Sequence, residues 1–196
     1  DAAHPFFLYL ALLEVHEPVE VPPRYSEPLR AYINDTVRRT YAGMVSAVDE
    51  GVANITAALE AKKMGDNTLL VLSNDNGGWC GYGGLNYPYR GHKTTLWEGG
   101  VRGLGFIHAP GRIKGGSVFG GLFHVTDWLP TLLRLADTGY TLDDTLDGVD
   151  QLSLLFTGTS RTGVREETLL GLNRWYVDQS MTITNLKFEG SKGGLI

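Results

Sequence analysis

Glycine crowds one part of this chain and constrains it more than any other feature. Of 26 glycines in 196 residues, fifteen fall between Gly77 and Gly121, often in pairs such as Gly77-Gly78, Gly83-Gly84 and Gly99-Gly100. Such a stretch is either flexible linker or tightly turned backbone lining a site. Linkers are poor in aromatics, whereas this one carries Trp79, Tyr82, Tyr87, Tyr89, Trp97 and Phe106. The stretch therefore reads as ordered loops.

The elements flanking these loops alternate in type. Phe6 to Leu13 is apolar throughout, as expected of a strand buried on both faces of a parallel sheet. A Pro-rich loop follows, then a helical pattern from Asp35 to Lys63. Its apolar positions Val37, Tyr41, Met44, Val48, Val52, Ile55 and Leu59 step by threes and fours onto one face. Asn34 or Asp35 caps it, Lys62-Lys63 suit its C-terminal end, and Gly65 is the expected stop. Thr68 to Ser73 is a second buried strand, and Arg102 to Ala109 a third. Asp127 is placed to cap a helix running to Ala136, with Pro130 tolerated in its first turn. This alternation predicts an α/β layer fold. The pattern weakens after residue 157, where Met181 to Phe188 reads as a strand of a smaller sheet.

Composition excludes several classes. The longest apolar run has eight residues, far short of a membrane span. A net charge of −5 argues against nucleic-acid binding. The single cysteine, Cys80, excludes an internal disulfide and a multi-cysteine zinc site. No nucleotide fingerprint and no His-x-x-x-His spacing occur. The chain opens at Asp1 without an initiator Met or signal peptide, which fits a processed chain or a piece of something longer.

Two polar groups stand where α/β folds gather ligands, beyond strand ends. Asn74-Asp75-Asn76-Gly77-Gly78 follows the second strand; a carboxylate beside a carboxamide either offers hard oxygens to Ca²⁺ or Mg²⁺ or closes an ordinary Asx turn. His16, after the first strand, is either a proton donor to an anion or a loop histidine satisfied by backbone. Apart from these strand ends, downstream, Arg90, Lys93 and Arg102 form an oxyanion site or a solvated basic surface.

What joins these pieces is the order of five blocks. They are Phe6-Phe7-Leu8-Tyr9-Leu10-Ala11 with His16-Glu17-Pro18, Tyr41-Ala42-Gly43-Met44-Val45-Ser46 with Asp49, Asp75-Asn76-Gly77-Gly78, Arg90-Gly91-His92-Lys93 with Trp97-Glu98-Gly99-Gly100-Val101-Arg102, and His124-Val125-Thr126-Asp127-Trp128-Leu129-Pro130-Thr131. The set resembles the type I sulfatases, nearest the arylsulfatase B group, over roughly residues 5 to 157. The resemblance implies an alkaline-phosphatase-like layered α/β fold, here in part. Its central sheet is mostly parallel with flanking helices, and part of a small C-terminal sheet follows. Residues 1–157 are then the later part of a catalytic domain and 158–196 the start of a smaller subdomain.

The same resemblance implies hydrolysis of sulfate esters, of small molecules or sulfated glycans, with one bound Ca²⁺. Asp75 and Asn76 match the metal-ligating pair, Lys93 the lysine on the sulfate, and His16 the histidine near the leaving oxygen. The family's formylglycine comes from a C-x-P-S-R or S-x-P-S-R motif, which is expected outside this chain. Cys80 is followed by Tyr82 and Gly84 and does not match; Ser26-Glu27-Pro28-Leu29-Arg30 matches formally but stands after His16, in the wrong order. The chain alone is therefore expected to be inactive. Asn34 and Asn54 head glycosylation sequons, which fits a lysosomal or secreted protein. Two alternatives stay open: a non-catalytic or glycan-binding product of the same fold, and a phosphoesterase of the same superfamily. His124 and Asp127 read as structural, a capped helix packing under the site.

Overall fold

The computed structural model describes residues 4–137, 139, 141, 145–157 and 164–170, which group into two compact units, 1–107 and 108–196. In the first unit, the short helix α1 (Pro23–Ser26) leads through a 3-10 turn to the long helix α2 (Thr36–Ala61). Strand β1 (Leu70–Ser73), the glycine-rich loops, the one-turn helix α3 (Glu98–Val101) and strand β2 (Gly105–His108) follow. The second unit holds α4 (Trp128–Leu135) and α5 (Leu152–Thr157).

Helix α2 forms where capping and periodicity agree. The Asp35 carboxylate accepts from the Arg38 amide at 2.7 Å, satisfying one of the free N-terminal donors. Met44 is buried on its inner face and Val48, Val52, Ile55 and Leu59 are half-buried, while Val37 is left exposed. α1 lies against α2 at Gly43, where a Cβ would sit 3.2 Å from the Ser26 Cα. The helix ends before the expected stop at Gly65. The Met64 amide donates to the Leu59 carbonyl at 2.9 Å and the Lys63 amide to the Glu60 carbonyl at 2.8 Å, a Schellman closure. The left-handed residue this closure needs is Lys63, at φ 56°.

Strands β1 and β2 pair as a two-stranded sheet, continued by the Asn74 amide donating to the Leu104 carbonyl at 3.1 Å. Both are shorter than their apolar runs. The expected strand over Phe6 to Leu13 does not form: the segment is extended and pairs with no described strand. Phe7 is 79% exposed and Leu13 88%. A strand exists only by pairing its backbone, so the apolar run records a need for burial that no described residue meets. Met181 to Phe188, and the expected change of subdomain at residue 158, lie outside the described residues.

In the second unit α4 opens at Trp128, with Pro130 and Thr131 buried in its first turns. Asp127 stands at its N-cap position, yet the carboxylate bonds none of the α4 amides. It serves a different purpose, described below.

Candidate active-site loops

The turn after β1 is held by backbone packed on backbone. The Gly77 amide donates to the Gly100 carbonyl at 2.9 Å, and a Cβ on Gly77 would fall 1.7 Å from the Gly99 oxygen. The Gly99 amide in turn donates to the Arg90 carbonyl at 2.7 Å. Three segments around residues 77, 91 and 99 thus stack at distances that admit no side chain, which explains why the glycines cluster.

Asn86 completes this arrangement. Its Oδ1 accepts from the Gly78 amide and its Nδ2 donates to the Gly78 carbonyl, both at 2.9 Å, and the same amide nitrogen lies 3.3 Å from the Gly91 carbonyl. One carboxamide therefore acts as a strand-like partner for two glycine turns. The sequence reading passed over Asn86; an amide among glycines and tyrosines was the available signal.

Lys93 is set against this frame. Its amide donates to the Gly78 carbonyl at 3.4 Å, and its own carbonyl accepts from His92 Nδ1 at 2.6 Å. The His92 ring meets the edge of Trp79 with centroids 4.8 Å apart. Lys93 Nζ then lies 3.0 Å from His16 Nε2, while His16 Nδ1 faces the Glu17 carbonyl at 3.3 Å. An ammonium has no lone pair, so Nε2 must accept and the proton of a neutral His16 sits on Nδ1. The Glu17 carbonyl, acceptor only, suits that tautomer. On the far side of this loop the Tyr82 hydroxyl is raised above its usual pKa, first by its hydrogen bond to the Glu17 carboxylate and then by that group's charge.

Asp75 is exposed and Asn76 half-buried. Asp75 Oδ1 accepts from the Asn76 amide at 2.8 Å, and Asn76 Nδ2 donates to the Gly77 carbonyl at 2.8 Å. These bonds occupy one carboxylate oxygen and the amide nitrogen, leaving Asp75 Oδ2 and Asn76 Oδ1 as hard oxygen donors. They suit Ca²⁺ as two members of the larger oxygen set it requires. No cluster of three His, Cys, Asp or Glu groups suited to a metal occurs among the described residues.

The other sequence candidates separate. Arg102 is paired with Glu98 at 3.4 Å and stacked over Tyr89 at 4.7 Å. With Arg38, Tyr41, Asn74 and Asn86 it lines an open cleft beside the loops. Arg90 lies over Trp97 at 3.9 Å. Ser26 ends α1 against Gly43, and Cys80 is a free, exposed thiol. Asn34 precedes α2 and Asn54 lies on its exposed face.

The second unit is built around Asp127, which is fully buried. Oδ1 accepts from Arg165 Nη2 at 2.6 Å and the Val149 amide at 2.9 Å; Oδ2 accepts from the His124 amide at 2.9 Å and Gln151 Nε2 at 2.7 Å. Burial alone would push this carboxyl up, but Arg165 and the three further hydrogen bonds together hold it below its usual pKa. The Arg165 guanidinium is raised in turn, first by its hydrogen bond to Asp127.

Comparison with known proteins agrees with this fold. The Sulfatase family model matches residues 1–138. An arylsulfatase J of Mus musculus is 45% identical over 150 residues, covering 76% of this chain and 25% of the relative. An N-acetylgalactosamine-6-sulfatase of Sus scrofa is 34% identical over 159 residues, covering 79% and 29%. The crystal structure of Ps i-CgsB in complex with k-i-k-neocarrahexaose superposes with a TM-score of 0.74 at 34% identity, over 81% of this chain and 35% of that one. A sulfatase structure from Pseudoalteromonas sp., PsFucS1, gives 0.63 at 32% identity, over 80% and 30%. The chain belongs to the sulfatase family. Its fold is part of the alkaline-phosphatase-like α/β fold, and it spans 25% and 29% of the two curated relatives. No described helix is long and apolar enough to cross a membrane.

Proposed function

We propose that this chain contributes the sulfate-binding half of a sulfuric ester hydrolase active site, acting on sulfate esters of glycans. The observation that carries the reading is the Lys93–His16 contact of 3.0 Å beside the Asp75-Asn76 turn, in a chain of the sulfatase family. Lys93 offsets the negative charge of the ester, which otherwise repels a nucleophile. The Lys93–His16 pair holds one proton between Nζ and Nε2. When a sulfate oxygen takes up the Lys93 donors, Lys93 keeps its charge and Nε2 is freed to take a proton from solvent and pass it to the departing alkoxide. Asp75 and Asn76 would hold a Ca²⁺ ion, which supplies further neutralisation of the sulfate oxygens when bound.

The nucleophile of this reading is a formylglycine from a segment that these 196 residues do not contain. The chain alone is then inactive, and the glycan substrate reaches it in a lysosomal or secreted setting. The exposed Asn34 and Asn54 sequons, read as glycosylated, fit that route.

The test is turnover of an aryl sulfate by the chain joined to an upstream segment bearing C-x-P-S-R. Activity that requires Ca²⁺ and disappears in Asp75→Ala and Lys93→Ala is expected. Full activity in either variant would remove the assignment.

A further inference from the structure

The turn from Arg90 to Lys93 holds two cations, and neither meets a carboxylate among the described residues. Lys93 faces the His16 ring, and Arg90 the ring of Trp97. Arg102 provides the contrast within the same loops: it too is stacked on an aromatic, but Glu98 neutralises it. Among the described residues of an acidic chain of net charge −5, two neighbouring positive charges thus stand without a carboxylate partner.

The Arg90 stack is built by backbone. Its carbonyl accepts the Gly99 amide at 2.7 Å, and Trp97 caps the helix to which Gly99 belongs. Between them Gly91 takes φ +88° and passes so near Trp97 that a Cβ would lie 2.7 Å from the Trp97 Cβ. The guanidinium lies 3.9 Å from the ring centroid, and Trp97 remains 51% exposed. Stacking engages the face of the guanidinium, whereas its N–H donors lie in the plane. The fork is therefore oriented with its donor edge free of partners among the described residues. Two residues separate Arg90 from Lys93, so their Cα atoms lie at most about 10 Å apart.

We propose that Arg90, held on Trp97, is a second oxyanion subsite next to Lys93. It takes the carboxylate or second sulfate of the sugar adjoining the one whose sulfate Lys93 contacts. The proposal rests on the reading of Lys93 given above. It narrows the substrate class to glycans carrying at least two anionic groups on neighbouring positions. The fork suits both groups because each offers two oxygens to parallel N–H donors.

Three probes separate the possibilities: galactose 6-sulfate, a disulfated galactose disaccharide, and a disaccharide with one sulfate and one uronate. Binding to the 196-residue chain is followed by amide shifts in NMR titration. The wild-type chain is expected to bind one or both two-anion probes about tenfold tighter than galactose 6-sulfate, the size of a charge-assisted hydrogen bond. Which of the two is preferred tells sulfate from carboxylate. Arg90→Gln should erase this advantage while leaving galactose 6-sulfate unaffected; Arg90→Lys should recover part of it, and Arg102→Gln should leave it intact. Absence of the preference in the wild-type chain, or a preference that survives Arg90→Gln, overturns the subsite. Lys93→Ala judges the underlying reading separately: galactose 6-sulfate binding that ignores this change sinks the role of Lys93, not that of Arg90.

Discussion

Lys93 Nζ and His16 Nε2 stand 3.0 Å apart although 77 residues separate them in sequence. The contact unites a loop after the apolar N-terminal segment with the glycine-packed turns. It also settles which ring nitrogen of His16 carries the proton, since only Nε2 faces a donor.

That tautomer is measurable. Ring ¹⁵N shifts of the neutral form of His16 should report an Nδ1–H imidazole. In Lys93→Met the donor is gone, and a population protonated at Nε2 should appear. An unchanged tautomer in the variant would mean that Lys93 does not govern the ring.

Gly77→Ala should be among the most damaging small substitutions in the chain. The added methyl would meet the Gly99 carbonyl at 1.7 Å, and backbone on both sides cannot yield as a side chain does. A loss of about 3 kcal/mol in urea unfolding is expected, with the Asp75-Asn76 turn displaced. Gly51→Ala, within α2 and with nothing within 4 Å of the new methyl, should instead stabilise by about 0.5–1 kcal/mol. Equal effects from the two would contradict the packing described.

The Asp127–Arg165 pair should make the second unit acid-sensitive. A carboxyl held below its unfolded value of about 3.9 binds its proton more readily when unfolded. Its contribution is thus present above about pH 4 and is lost as pH falls toward the folded pKa. Asp127→Asn leaves Arg165, its side chain 13% exposed, without its charge partner and should cost about 3–5 kcal/mol at pH 7. The gap between wild type and variant should narrow below pH 4. A gap that stays constant down to pH 2 would rule out the ionised pair as its source.

Lys63→Gly should stabilise the end of α2. Lys63 adopts φ 56° in a closure that usually takes glycine, at a cost of about 1–2 kcal/mol for an L-residue. Part of the gain is offset by the greater freedom of glycine when unfolded, leaving about 0.5–1 kcal/mol. Thermal unfolding of the variant measures it, and a lower midpoint would show that the lysine side chain stabilises the turn.

Local patterns were legible wherever the chain carries its own instructions. α2 follows from its periodicity and the Asp35 cap, and β1 and β2 lie inside the apolar runs that announced them. The stop at Gly65 misled because a Schellman closure is set by the hydrogen bonds of its last turn, which fell two residues earlier on Lys63. Phe6 to Leu13 misled for a different reason: hydrophobicity states that a segment needs a partner, and the described residues hold none.

By itself the amino-acid order determined α2 and α4, the two short strands, the ordered glycine-rich loops and the family, since all of these rest on neighbours close in the chain or on blocks in fixed sequence; α1, inside the expected Pro-rich loop, and the short α3 and α5 it did not announce. Only the tertiary structure decided that Gly77 must be glycine because Gly99 lies against it, that Asn86 ties two turns, that Asp127 serves Arg165 and Gln151 instead of capping α4, and that Arg102 is neutralised while Arg90 is not. Each of these is a distance between atoms remote in sequence. Such distances exist only once the backbone has closed, and the spacing of residues along a chain does not encode them.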